Sequence, residues 1–82
     1  MEIEIKHDAE KYLSKLPKTD SNRILDAIEG LMEKPMVGDI QRLKGKNGDC
    51  RLRIGKYRVV FLQKGENAIY VSHIDTRGQV YK

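Results

Sequence analysis

Cys50-Arg51-Leu52-Arg53-Ile54-Gly55-Lys56-Tyr57-Arg58-Val59-Val60-Phe61 reads as a β-hairpin with one apolar and one basic side. Cys50, Leu52 and Ile54 alternate with Arg51 and Arg53, the period of two of a half-buried strand. Tyr57 to Gln63 is a second, strongly β-prone run. Gly55-Lys56 reads as a two-residue type II′ turn with Gly at its first central position. Such a turn fixes the register of the hairpin. Ile54 then lies opposite Tyr57, Arg53 opposite Arg58, Leu52 opposite Val59 and Arg51 opposite Val60. One side carries Cys50, Leu52, Ile54, Tyr57, Val59 and Phe61, a core side. The other carries Arg51, Arg53 and Arg58. Like charges placed directly opposite each other are destabilising, with pair terms of about 0.2–1 kcal/mol. An anion held between the two guanidiniums would account for the pairing of Arg53 with Arg58.

Downstream, Ala68 to Ile74 forms another β-prone run beyond Lys64-Gly65-Glu66-Asn67. A two- or four-residue loop there sets Arg58 opposite His73 and Val60 opposite Val71, so that His73 joins the arginine side. An odd-length loop or a bulge turns it inward. Upstream, Met1, Ile3 and Ile5 alternate with Glu2, Glu4 and Lys6 as a strand. Ala9, Tyr12, Leu13 and Leu16 form one face of a short helix from near Asp8 to before Pro17. Thr19, Asp20 or Ser21 can cap a second helix, striped by Ile24, Leu25, Ile28, Leu31 and Met32 and ended by Pro35. The order is β-α-α-β-β-β, with a further strand-like piece near Gln41–Lys44. It predicts an α+β fold, an antiparallel twisted sheet with a helical hairpin packed on one face.

The chain has 82 residues, 39% of them apolar and 34% charged. This is one domain, residues 1–82, with a thin core and no room for an enclosed cofactor cavity. No run approaches the 18 apolar residues of a membrane span, and the start lacks the apolar stretch of a signal peptide. A lone cysteine, Cys50, forms no internal disulfide and no cysteine-based zinc site, which points to the cytoplasm. Residues 1–41 hold six Lys/Arg against nine Asp/Glu, a balance of −3, and residues 42–82 hold ten against three, a balance of +7. The second half carries the electrostatic footprint expected for a polyanion.

The runs Leu43-Lys44-Gly45, Cys50 to Phe61, and Asp75-Thr76-Arg77-Gly78-Gln79-Val80-Tyr81 resemble the RelE/ParE superfamily of toxins, most of all its RelE branch. That family's pattern is L-x-G, then Y-R-L-R-x-G-x-Y-R-hydrophobic, then a strand ending in G-H-R-x-x-V-Y. The resemblance implies the toxin of a type II toxin–antitoxin pair, a ribosome-dependent endoribonuclease that cuts mRNA in the A site without a metal or other cofactor. In such enzymes the 2′-OH of the mRNA attacks the adjacent phosphate and leaves a 2′,3′-cyclic phosphate. Carried over by position, Arg58 stabilises the transition-state phosphate, and Arg53 falls where the family sets a basic residue against the phosphate backbone. Arg77 matches the Arg of the G-H-R segment, and Tyr81 stacks on a base; these four are the catalytic residues the resemblance implies. Arg51, Lys44, Lys46, Lys56 and His73 are the residues expected against phosphates. The departure is Asp75-Thr76, where many members have Gly-His: the histidine acid or base of that position is missing, and His73 lies three residues too early to match it.

The chemistry agrees with the carry-over. Attack by a 2′-OH builds negative charge on phosphoryl oxygens, which preorganised guanidinium forks stabilise. Arginine does not deprotonate readily, so such a site works mainly by positioning and electrostatics. The implied partners are a cognate antitoxin with an acidic amphipathic helix, and the ribosome with its mRNA and ribosomal RNA. Competing readings are a ParE-like inhibitor of DNA gyrase, whose branch usually lacks the dense arginine ladder, and an RNA-binding or interaction module of weak activity. Each residue also has a plainer role: a basic sheet face can be merely solvated, Arg58 can pair with Asp75, and Tyr81 can pin the C-terminus. Tyr12, Tyr57 and Cys50 read as core.

Overall fold

The computed structural model describes residues 2–33, 36–43, 49–65 and 68–76. Strand β1 (Glu2–Ile5) turns Ile3 and Ile5 toward the core and leaves Glu2 and Glu4 exposed. Helix α1 (His7–Ser14) buries Ala9 and Leu13, with Tyr12 and Leu16 packed at the margin. Helix α2 (Lys18–Glu29) buries Ile24 and Ile28. Leu25 leaves the expected stripe and is 39% exposed, because each helical step rotates about 100° and carries it off the face that Ile24 occupies. No side chain among the described residues caps α2, which starts directly after Pro17. The expected caps are used elsewhere: Ser21 Oγ donates to the Lys18 carbonyl at 3.1 Å, and Asp20 accepts from Tyr57. After Glu29 the chain tightens into a 3-10 turn, Gly30–Met32, which buries Leu31.

Strands β2 (Asp39–Arg42), β3 (Asp49–Ile54), β4 (Tyr57–Gln63) and β5 (Ala68–Thr76) complete a five-stranded sheet in the order β1-β5-β4-β3-β2. The strand-like piece foreseen near Gln41–Lys44 is β2, two residues earlier. β2 to β5 run antiparallel as expected, whereas β1 pairs with β5 in parallel, so the sheet is mixed. The helices lie between β1 and β2 in the chain, which leaves β1 beside the last strand rather than its sequence neighbour. α1 packs over β5 and α2 over β3. Between helices and sheet, Leu52, Val59, Phe61, Ile69, Val71 and Ile74 meet Ala9, Leu13, Ile24, Ile28 and Leu31. At Gly38, φ is +138° and a Cβ would stand 2.7 Å from the buried Leu52 Cδ1, so any other residue would be strained in its backbone and would displace the Leu52 side chain.

The β3–β4 register is the one the turn predicts, with Arg53 opposite Arg58. Gly55 has φ +57°, and no non-glycine residue among those described has a positive φ, which fits type II′ and excludes type I′. The β4–β5 register corrects the expectation. Gln63 pairs with Ile69, and the Lys64 N–H donates to the Ala68 carbonyl at 2.8 Å, so the connection has odd length. Between Val60 and Phe61 the register then shifts, leaving Ser72 as an extra residue in β5. The odd connection turns the strand over and the bulge turns it back. Arg58 therefore faces Asp75 rather than His73, and His73 faces Val60.

Candidate functional site

The register assembles one row across four strands: Asp39 on β2, Arg53 on β3, Arg58 on β4 and Asp75 on β5. The row crosses the side of the sheet away from the helices. Each arginine has its own carboxylate at the outer end of the row. Arg53 donates to Asp39 Oδ2 from Nε at 2.7 Å and from Nη2 at 2.6 Å. Arg58 grips Asp75 with both prongs of its fork, Nε to Oδ1 at 3.2 Å and Nη2 to Oδ2 at 3.0 Å. The like-charge pairing of Arg53 and Arg58 is thus relieved by two flanking acids, Asp39 and Asp75.

The two ion pairs differ in exposure. The Arg53 and Asp39 side chains are 41% and 47% exposed, against 28% and 21% for Arg58 and Asp75. Water screens the first pair strongly, and exposed pairs of this kind contribute at most about 1 kcal/mol. The second is bidentate and half-buried, so it holds its geometry better.

A second row lies beside the first: Gln41, Arg51, Val60 and His73. Arg51 Nη2 donates to Gln41 Oε1 at 2.7 Å, while its Nε is buried without a hydrogen-bond partner among the described residues. His73 Nε2 stands 2.8 Å from Asp75 Oδ2, so Asp75 joins His73 to Arg58. Burial alone would push the Asp75 carboxyl up. The hydrogen bonds from Arg58 and His73, reinforced by their charges, outweigh it and hold Asp75 below the usual carboxylate range.

Of the residues the sequence singles out, the fold brings Arg51, Arg53, Arg58 and His73 onto one face. Lys56 sits in the exposed β3–β4 turn, its Nζ 5.6 Å from the Tyr57 ring centroid. Lys44, Lys46, Arg77 and Tyr81 lie outside the described residues. Asp39 and Tyr70 belong to this open side yet carry no signal of their own in the sequence. Asp39 opens a strand whose start lies two residues earlier than expected. Tyr70 precedes the bulge that resets the alternation of β5, and Lys64 Nζ stands 4.9 Å over its ring.

Chemically, three guanidiniums, an imidazole and an aromatic ring on one open β-surface form a surface suited to a phosphate backbone with splayed bases. The chain matches the family model for the ParE toxin of type II toxin–antitoxin systems over residues 3–81. It is 33% identical over 84 residues to the protein designated toxin RelE1 of Methanocaldococcus jannaschii, covering 98% of this chain and 93% of that one. The archaeal RelE–RelB complex of Pyrococcus horikoshii OT3 contains a chain 26% identical, with a TM-score of 0.77 and coverage of 95% and 96%. The RelB–RelE antitoxin–toxin complex of Methanococcus jannaschii contains one 23% identical, with a TM-score of 0.76 and coverage of 95% and 94%.

Proposed function

Because this chain belongs to the ParE toxin family of type II toxin–antitoxin systems, on the RelE branch of the RelE/ParE superfamily, we propose that it is an endoribonuclease that cuts mRNA in the ribosomal A site. The observation that carries this reading is the placement of Arg51, Arg53 and Arg58 on one uncovered face of the sheet, with Arg53 and Arg58 in register. The 2′-OH attacks in line, and negative charge develops on the nonbridging oxygens. Arg58, kept oriented by Asp75, is the donor preorganised for that charge. Arg53 is the adaptable partner: its pair with Asp39 is exposed and weak, so an incoming phosphodiester displaces that carboxylate at little cost. Arg51, Lys56 and His73 line the approach, and Lys44, Lys46, Arg77 and Tyr81 take the roles that the family resemblance implies.

The ribosome holds the substrate, which supplies orientation that an 82-residue protein has little surface to provide. A cognate antitoxin is the natural partner, since the relatives from Pyrococcus and Methanococcus are RelE chains bound to RelB. An acidic amphipathic helix would neutralise the basic half and block access to the ribosome. That contact should weaken as salt is added.

Cell-free translation with the purified chain tests the reading. Truncated mRNA ending in 2′,3′-cyclic phosphate is expected, and Arg58→Ala should cut the cleavage rate about a hundredfold or more. A second reading follows from the family model's ParE designation: inhibition of DNA gyrase. Intact mRNA together with blocked supercoiling would establish that one instead. RNA binding without cleavage or supercoiling inhibition would leave a binding module.

A further inference from the structure

The nuclease reading leaves one chemical gap. The 2′-OH must lose a proton, and the sequence has Asp75-Thr76 where many relatives have Gly-His. The fold fills the gap from another position. The odd connection after β4 and the bulge at Ser72 cancel in alternation, so His73 stays on the arginine face but stands opposite Val60 instead of Arg58. Its side chain is 57% exposed, so a substrate can reach it, and its Nε2 lies 2.8 Å from Asp75 Oδ2.

The tautomer follows from Asp75. The Arg58 fork keeps that carboxyl ionised, and an ionised carboxylate only accepts hydrogen bonds. Nε2 must therefore carry the proton it shares with Asp75, which leaves the lone pair on Nδ1. A carboxylate that orients an imidazole in this way is the arrangement by which histidine serves as a base. The charged groups facing His73 are Asp75 on its own strand, Arg58 on β4 and, beyond Val60, Arg51 on β3. On the other flank, β1 brings Glu4 level with Tyr70. α1 packs on the opposite side of β5.

Resting on the nuclease reading, we propose that His73 is the general base of the cleavage, with Asp75 as the positioning residue that fixes its tautomer. Nδ1 takes the 2′-OH proton as the O2′–P bond forms and the P–O5′ bond breaks. The departing 5′ oxygen takes a proton from water, and the imidazolium returns its own proton to the hydroxide so formed. The products are a 2′,3′-cyclic phosphate and a 5′-hydroxyl, with no net proton gained or lost. Arg58, joined to the same carboxylate, delivers charge stabilisation at a fixed offset from the base.

Ribosome-programmed mRNA cleavage by the wild type, His73→Ala and Arg58→Ala, measured as a rate profile from about pH 5 to 8, tests this. His73→Ala should cleave about a hundredfold more slowly, lose the pH dependence of the wild type, and recover part of its rate with added imidazole. Asp75→Asn should slow cleavage and displace the pH profile. If His73→Ala keeps the wild-type rate, or slows with its pH profile unchanged and no imidazole rescue, the base assignment is wrong while the nuclease stands. If the wild type itself leaves mRNA intact, the nuclease reading falls and takes the base with it.

Discussion

Tyr57 shows how much one residue can carry in a fold this small. The ring is 4% exposed, while the hydroxyl donates to Asp20 Oδ2 at 2.6 Å and ties β4 to α2. That hydrogen bond, then burial, then the negative charge of Asp20, push the phenol from 10.0 up to about 12. Absorbance titration of the four tyrosines should find one ionising near 12, and Asp20→Asn should return it toward 10. Because the folded value lies above the unfolded one, this contribution to stability is complete below pH 10 and is lost as pH rises through about 12. Asp75 runs the other way. Its folded value lies below the ordinary 3.8, so its contribution is present above that pH and is lost as acid titrates the folded carboxyl. Tyr57's place in the core was legible from alternation alone. Its partner, 37 residues away in the chain, was not, since no local pattern records which helical carboxylate comes within reach.

At the level of strands, the row Asp39–Arg53–Arg58–Asp75 explains why a sheet with a thin core keeps two arginines face to face. Its two ends should not be equivalent. Asp75→Asn leaves the half-buried Arg58 without its bidentate acceptor and should cost about 1.5–2 kcal/mol, the lower part of the range for hydrogen bonds to charged groups. Asp39→Asn breaks an exposed, screened pair and should cost less than about 1 kcal/mol. Urea unfolding of both variants measures the difference, and equal midpoints would contradict it. The Arg53–Arg58 opposition could be read from the sequence because a two-residue turn leaves a single register. The β4–β5 pairing could not. Its odd connection and its bulge are each invisible to periodicity, and each reverses every side chain beyond it.

For the molecule as a whole, one layer of side chains between two helices and a five-stranded sheet forms the apolar core of the described residues. Phe61, the only phenylalanine, is fully buried there. Phe61→Ala should cost about 3–5 kcal/mol, a large share of the roughly 4–12 kcal/mol expected of an 82-residue domain. Phe61→Leu, which fills more of the space, should cost less than half as much. Denaturant midpoints of the two variants check the ordering. Local reading of the chain was enough for the element order, the core-facing set of the central hairpin, the concentration of positive charge after residue 41 and the likeness to a toxin family. Those properties live in local period, turn chemistry and composition, which act within a few residues of one another. The assembled fold was needed to place β1 parallel to β5, to set two acids against the arginine pair, and to bring His73 beside Asp75. Each of these depends on contacts between distant segments, whose register is set by the summed packing of the sheet rather than by any single stretch of chain.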